Sequence, residues 1–256
     1  MATLYLLGTG SSLSDPQRTA TMLAVENEQA LILIDSGGDS LQRLLESGFP
    51  EENLAKLKGI IISHEHADHV SGFPLLWQKL WLYGQHENLK VYGIAPALNQ
   101  VKKLIEAMDS FHSQDFAGLP PLEWHKIPYE VNSLVLEDEG WHILASPAQH
   151  SVPVMAFRIT DKLGGGVVCY SCDTEKSEQV VQLAQGADIL VHEATGDFTG
   201  HSSAAQAAEV AQAAQVKKLL LVHLPPERVL TDEKMARARA IFPHLDKGLE
   251  KGRYPF

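Results

Sequence analysis

Residues 58–72 read Lys-Gly-Ile-Ile-Ile-Ser-His-Glu-His-Ala-Asp-His-Val-Ser-Gly, a short apolar run that ends in three histidines and two carboxylates. Ile60, Ile61 and Ile62 are β-branched and uninterrupted, the pattern of a strand covered on both faces in a parallel sheet with helices on either side. The ligand-type side chains therefore gather at the strand's C-terminal end. Along an extended backbone, alternate residues share a side, so His64 and His66 converge on one point while Glu65 faces elsewhere. Once the chain turns, Asp68 and His69 face a second point beside the first. Imidazoles with a carboxylate are the ligand set of an open, catalytic zinc site, whereas a closed structural site uses cysteines. A histidine-rich surface loop would explain this motif alone. It would not explain why other apolar runs also end in such residues, at His150, Asp173 and His223.

The ordered set His64-x-His66-x-Asp68-His69, His150, Asp173 and His223 resembles the signature of the metallo-β-lactamase fold. Within it, the chain is most similar to the ribonuclease Z-like phosphodiesterase branch. That likeness rests on Gly-Thr-Gly-Ser (Gly8 to Ser11), Asp35 in Ile-Asp-Ser-Gly, His-Glu-Ala-Thr (His192 to Thr195) and Gly-His-Ser (Gly200 to Ser202), and it extends over residues 4 to about 224. The resemblance implies an α/β chain folded as a four-layer αβ/βα sandwich, two similar halves with the metal site at one edge. It also implies that His64, His66 and His150 hold one zinc ion, that Asp68, His69 and His223 hold another, and that Asp173 bridges the two. Manganese or iron can replace zinc in such a mixed site. Asp35 would support the ligands, because a histidine bound to metal by one nitrogen donates its other N–H to an orienting acceptor. The alternative is that Asp35 caps a helix running from Asp39 to Ser47.

Two dications facing two carboxylates suit a bridging hydroxide and an anionic substrate, and paired ions clamp an in-line phosphoryl displacement. Asp68 is expected to orient the hydroxide. His201, just before a helix N-terminus, is expected to act as general acid with Glu193 as its partner. Three activities follow. The favoured one is a phosphodiesterase acting on a small, cyclic or nucleotide phosphodiester. The second is ribonuclease Z, cutting precursor tRNA, with RNA as partner. That enzyme's arm normally lies between the third metal histidine and the bridging aspartate, an interval filled here only by Ser151 to Cys172. The third is lactone or carboxylic ester hydrolysis, since a scaffold alone does not fix an activity. A metal-dependent sensor or scaffold is the non-enzymatic alternative.

Composition agrees. The chain has 256 residues, 45% hydrophobic and 21% charged, with a net charge of −11. That balance argues against a broad basic surface for nucleic acid. Leu4 to Leu7 is too short for a signal peptide and no segment approaches a bilayer span, so a cytoplasmic enzyme without membrane contact is expected. No linker marks a boundary, and residues 1–256 read as a single domain. Cys169 and Cys172 have C-x-x-C spacing without a second pair or a following helix, so they read as reduced thiols. Cys172 stands where relatives usually have glycine, and on an extended backbone its side chain would point away from that of Asp173.

In chain order, strands are expected at Thr3 to Leu7, Met22 to Val25, Ala30 to Asp35, Lys90 to Gly93, Trp141 to Ala145, Val154 to Ile159, Gly166 to Ser171, Asp188 to Val191 and Val216 to Val222. Helices are expected over Phe73 to Tyr83, Ala95 to Met108 and the Ala-rich stretch after His201, where Ser203 and Gln206 match a capping box. Trp77 and Trp81 make the first of these helices apolar enough to need a cover, by core packing, a homodimer contact or a substrate-pocket wall. Residues 111–121 read as loop, and the tail from Glu227 as helix followed by irregular chain. His86, His112, His125, His142 and His244 lack ligand spacing and are expected to be structural or exposed.

Overall fold

The computed structural model describes residues 1–256. The first half contributes β1 (Thr3–Gly8), β2 (Met22–Glu26), β3 (Leu31–Ile34), α1 (Ser40–Glu46), β4 (Leu57–Ile62), α2 (Ala67–Val70), α3 (Phe73–Leu82), β5 (Leu89–Gly93), α4 (Ala95–Glu106) and β6 (Leu122–Lys126). The second contributes β7 (Ser133–Glu137), β8 (Trp141–Pro147), β9 (Met155–Asp161), β10 (Val167–Tyr170), α5 (Glu178–Leu183), β11 (Ile189–Glu193), α6 (Ala204–Ala213), β12 (Lys218–Val222), α7 (Asp232–Ile241), β13 (Leu245–Lys247) and β14 (Gly252–Pro255).

These strands make two seven-stranded sheets, ordered β14-β1-β2-β3-β4-β5-β6 and β13-β12-β11-β10-β9-β8-β7. Each is mixed: β3 to β6 run parallel in the first, and β10 to β13 in the second. Helices α1 and α4 pack on the first sheet, and α5 and α6 on the second. One contiguous core of 72 buried residues joins strands of both sheets. The expected four-layer sandwich is therefore present. The triple-isoleucine strand β4 is buried as expected, but the sheet around it is mixed, because the antiparallel strands β14, β1 and β2 complete its far side.

Two local expectations are corrected. Residues 109–116 form two 3-10 turns whose Phe111 and Phe116 rings cover Trp77 and Trp81 of α3, at 5.3 and 5.9 Å between centroids. The Trp77 indole N–H also donates to the Pro120 carbonyl. The tail is not irregular after α7: β13 and β14 close one edge of each sheet, and Pro255 is accommodated because β14 is an edge strand. Glu250 in that tail accepts from the Thr9 amide and hydroxyl and pairs with Arg43. No helix is long and apolar enough to cross a membrane.

The C-terminal ends of β3, β4, β10, β11 and β12 converge, which is where open α/β sheets hold ligands. The Gly8–Ser11 turn ties the two sheets together there: Leu224 N donates to Thr9 O, and Ser11 N to Leu224 O. Gly37 allows the loop after β3 to press on the loop after β4, since a Cβ at that position would lie 1.5 Å from the Asp68 carbonyl oxygen.

Candidate metal centre

Ser63 and His64 directly follow β4, and after the extended residue His66 the chain enters the single turn of α2, which carries Asp68 and His69. His150 follows β8, Asp173 follows β10 and His223 follows β12. Their ligand atoms form two groups in which all atoms lie within 4.8 Å of one another: His64, His66, His150 and Asp173 in one, Asp68, His69 and His223 in the other. Asp173 touches both. Its Oδ2 lies 3.9 Å from Nε2 of His64 and of His150 and 3.4 Å from Nε2 of His223, while its Oδ1 lies 3.5 Å from Nε2 of His69. Nδ1 of His66 sits 3.1 Å from Nε2 of both His64 and His150. A nitrogen triangle this tight, in which no ring can donate to both others, is a cradle for a cation.

The tautomers follow from the remaining hydrogen bonds. Asp35 is fully buried and accepts from Ser63 N, Ser63 Oγ and His69 Nδ1, each at 2.8 Å. Since the Ser63 hydroxyl proton goes to Asp35, its oxygen is left to accept from His64 Nδ1 at 3.0 Å. His150 Nδ1 donates to the Gly200 carbonyl at 2.6 Å. The Thr195 hydroxyl donates to the His223 carbonyl and accepts from His223 Nδ1 at 2.6 Å. Four imidazoles thus commit Nδ1–H to a fixed acceptor and direct Nε2 inward, the arrangement that orients metal-binding histidines. Asp35 does not cap α1, a role taken by Asp39.

The charges ask for cations. Burial pushes the His64 imidazole well below its usual range, with His69 beside it adding to the effect. Burial alone would raise the Asp173 carboxyl, but His223, His69 and His64 outweigh it and hold the group ionised. Asp68 behaves likewise, its burial outweighed by His223 and His69. His69 goes the other way: burial opposes its protonation, yet Asp173 and Asp35 together raise it well above the ordinary value. The carboxylates thus draw positive charge to the Nε2 side of His69, the charge that a bound cation would supply there. His69 Nε2 and Asp173 Oδ1 are buried without hydrogen-bond partners. Orphaned donor-set atoms of this kind, facing one another, fit divalent cations.

Beside these groups, His201 Nδ1 contacts Glu193 Oε1 at 2.7 Å, and Glu193 is further held by the amides of Thr174 and Thr195. Burial lowers the His201 pKa, but the hydrogen bond and charge of Glu193 outweigh it, and the net shift is upward. The His201 ring stacks on His223 at 5.6 Å and 9°. His192 faces away, fully buried, its Nδ1 on the Glu193 carbonyl. His201 precedes α6, where Ser203 and Gln206 form the expected capping box. The other histidines lie apart: His142 pairs with Glu137, and His125 pairs with Glu123 and stacks on Tyr92.

Cys172 departs from the sequence expectation. Its backbone is left-handed (φ 54°) and not extended, a conformation that favours glycine. Its Sγ approaches the Nδ1 edge of His64 at 3.8 Å, whereas Asp173 approaches the Nε2 edge. Both cysteines are free and buried. Ser63, Thr195 and the Gly200 carbonyl were not assigned roles from sequence, although all three lie in or beside the quoted motifs. Thr195→Val keeps the shape and removes the acceptor for His223 Nδ1. Chelator competition should show divalent-metal affinity falling about 10- to 100-fold with the fold retained by circular dichroism; unchanged affinity would remove Thr195 as the group that orients His223.

Comparisons with known proteins agree with this geometry. Ribonuclease Z of Methanothermobacter thermautotrophicus is 28% identical over 300 residues, covering 96% of this chain and 94% of that protein. Among solved structures, the metallo-beta-lactamase fold protein YhfI from Bacillus subtilis superposes with a TM-score of 0.80 at 22% identity, covering 99% of this chain and 98% of that one. A diphosphatase of the PhnP family gives a TM-score of 0.75 at 20% identity, covering 100% and 98%. The family described as "Beta-lactamase superfamily domain" matches residues 31–224, the span that runs from β3 through the last of the seven clustered residues, and the chain belongs to that family.

Proposed function

We propose that this chain is a phosphodiesterase with two divalent metal ions, zinc in the first instance, acting on a small or nucleotide phosphodiester. The observation that carries this reading is a pair of ligand groups, with Asp173 a member of one and 3.4–3.5 Å from His223 and His69 of the other, and the His201–Glu193 pair beside them. His64, His66 and His150 would hold one ion, Asp68, His69 and His223 the second, with Asp173 between. When bound, such ions make water acidic near neutral pH and place positive charge against phosphoryl oxygens. The imidazole-rich set with carboxylates suits zinc, with manganese or iron as substitutes.

The chain's own residues supply the rest. Asp68, whose carboxylate lies 3.2 Å from His223 Nε2, would orient the attacking water by accepting its hydrogen bond. His201, kept protonated by Glu193, donates a proton to the departing alkoxide, an effect typically worth about 10²- to 10⁴-fold. Asp35, Ser63, Thr195 and the Gly200 carbonyl keep the ligand rings aimed.

Cutting of precursor tRNA is the second reading, favoured by the name of the Methanothermobacter relative. Two observations weigh against it. Residues 151–172 are taken up by β9, a turn and β10, which leaves no protruding arm in that interval. The alignment with that relative also runs over 300 residues while this chain has 256, so the relative carries segments this chain lacks. The free thiols support a reducing, cytoplasmic setting. The exposed Leu75, Leu82 and Tyr83 at α3 support a homodimer contact as part of this proposal.

Metal-loaded protein assayed side by side on bis(p-nitrophenyl) phosphate, cyclic nucleotides, a precursor tRNA and a homoserine lactone should hydrolyse the phosphodiesters and cut the tRNA poorly. Lactone turnover without phosphodiester turnover would refute the proposal, and efficient site-specific tRNA cleavage would replace it with the second reading. The His201 role has its own test in the pH profile. As the protonated form is the acid and its pKa is raised, the basic limb of the pH profile on an alkyl phosphodiester should follow that pKa, activity falling as pH rises through it. Glu193→Gln removes the charge that raises it, so this basic limb should move to lower pH. A limb that does not move would take Glu193 out of the mechanism.

A further inference from the structure

Phe198 is the single large apolar side chain in the loop between β11 and α6, and 54% of it is exposed. An exposed phenyl ring gives up the favourable transfer from water that holds the other rings of this chain inside. The loop is nonetheless well fastened. Gly196 N donates to Ser202 O at 3.0 Å, His201 N to Phe198 O at 2.9 Å, and Gly200 N to Glu175 Oε1 at 2.8 Å. The ring lies against the backbone of Gly196, where a Cβ would meet it at 2.7 Å. The exposed ring is therefore held in place.

Its position relates to the chemistry. The Phe198 ring centroid is 4.9 Å from that of His201, and the His201 ring is itself 4.9 Å from His150. Phe198 and His201 share a cleft of about 250 Å³ with Glu175, Lys176, Thr199 and Gln206. Lys176 is paired with Glu209 at 2.7 Å and Gln206 with Asp197 at 3.2 Å. The distinctive recognition feature left in this polar cleft is an aromatic face beside the proton donor.

We propose that Phe198 is the stacking platform for the nucleobase of the departing nucleoside, which makes the preferred substrate a nucleotide diester. This rests on the phosphodiesterase reading with His201 as the acid: a proton donor sits next to the leaving oxygen, so the group carried by that oxygen lies on the His201 side, beside Phe198. Every base has a π-face, so such a platform favours a base over none without reading its identity.

The test compares 2′-deoxyadenosine 3′-(methyl phosphate) with its abasic tetrahydrofuran counterpart, both followed as release of the sugar alcohol by metal-loaded enzyme. Wild type should prefer the base-bearing compound about tenfold in kcat/KM, expressed mainly in KM, a size typical of one base–aromatic stack. Phe198→Ala should bring that ratio close to one, and Phe198→Tyr should restore most of it. A wild-type ratio near one, or a Phe198→Ala variant that keeps the wild-type ratio, would overturn the proposal. Calorimetric binding of deoxyadenosine 3′-monophosphate and of the abasic monophosphate to the metal-loaded wild type and Phe198→Ala gives a readout independent of turnover, with the same tenfold difference and the same loss expected. If wild type hydrolyses neither diester, the phosphodiesterase reading fails on its own. The binding ratio then decides the platform, and equal binding of the two monophosphates overturns it.

Discussion

A single buried carboxylate, Asp35, sets the orientation on which the centre depends. It has no exposed surface and accepts three hydrogen bonds of 2.8 Å, one from the Ser63 amide, one from the Ser63 hydroxyl and one from the His69 ring. Burying an ionised carboxylate is costly unless donors surround it, and these three offset that cost. The bond to His69 fixes one ring directly. The bond to Ser63 fixes a second, because a hydroxyl that has spent its proton can only accept from His64. One side chain just beyond β3 therefore decides the tautomers of two candidate ligand rings in the segment that follows β4.

The same logic recurs on the other sheet with different chemistry. Thr195 spends its proton on the His223 carbonyl and so accepts from the His223 ring, while a main-chain carbonyl at Gly200 serves His150. The backbone accommodates this at some cost. Asp35, Cys172 and His223 all adopt left-handed conformations, φ 61°, 54° and 51°, each costing a non-glycine residue roughly 1–2 kcal/mol. All three sit just beyond the ends of strands whose burial supplies compensating stability. Strain of this kind collects where a chain must reverse sharply to deliver a side chain. Asp35 and His223 are delivered in this way, and Cys172 brings round Asp173.

Much of this was legible in the sequence, for a physical reason. Side chains that follow buried strands are announced by the apolar run before them, so Ile60–Ile62, Val167–Tyr170 and Leu219–Val222 pointed to His64, Asp173 and His223 as candidate ligands. The hydroxyl relays were not legible. Which acceptor meets which ring depends on the two sheets coming together: Thr195 lies 28 residues from His223 and Gly200 lies 50 from His150. The tail strands escaped for a related reason. β14 is short, contains proline and takes its register from β1 at the opposite end of the chain, so no local periodicity marks it. Cys172 was misplaced because alternation along a strand stops applying at the first left-handed residue, and only a glycine in relatives hinted at one.

Two cation positions that share Asp173 underlie the proposed chemistry. Diffraction at the zinc absorption edge from crystals grown with zinc measures this directly. It should give two anomalous peaks, one about 2.0–2.2 Å from nitrogen atoms of His64, His66 and His150 and one at that distance from ligand atoms of Asp68, His69 and His223, with Asp173 reaching both. A single peak under saturating zinc, or peaks that leave Asp173 outside coordinating distance of either ion, would contradict it.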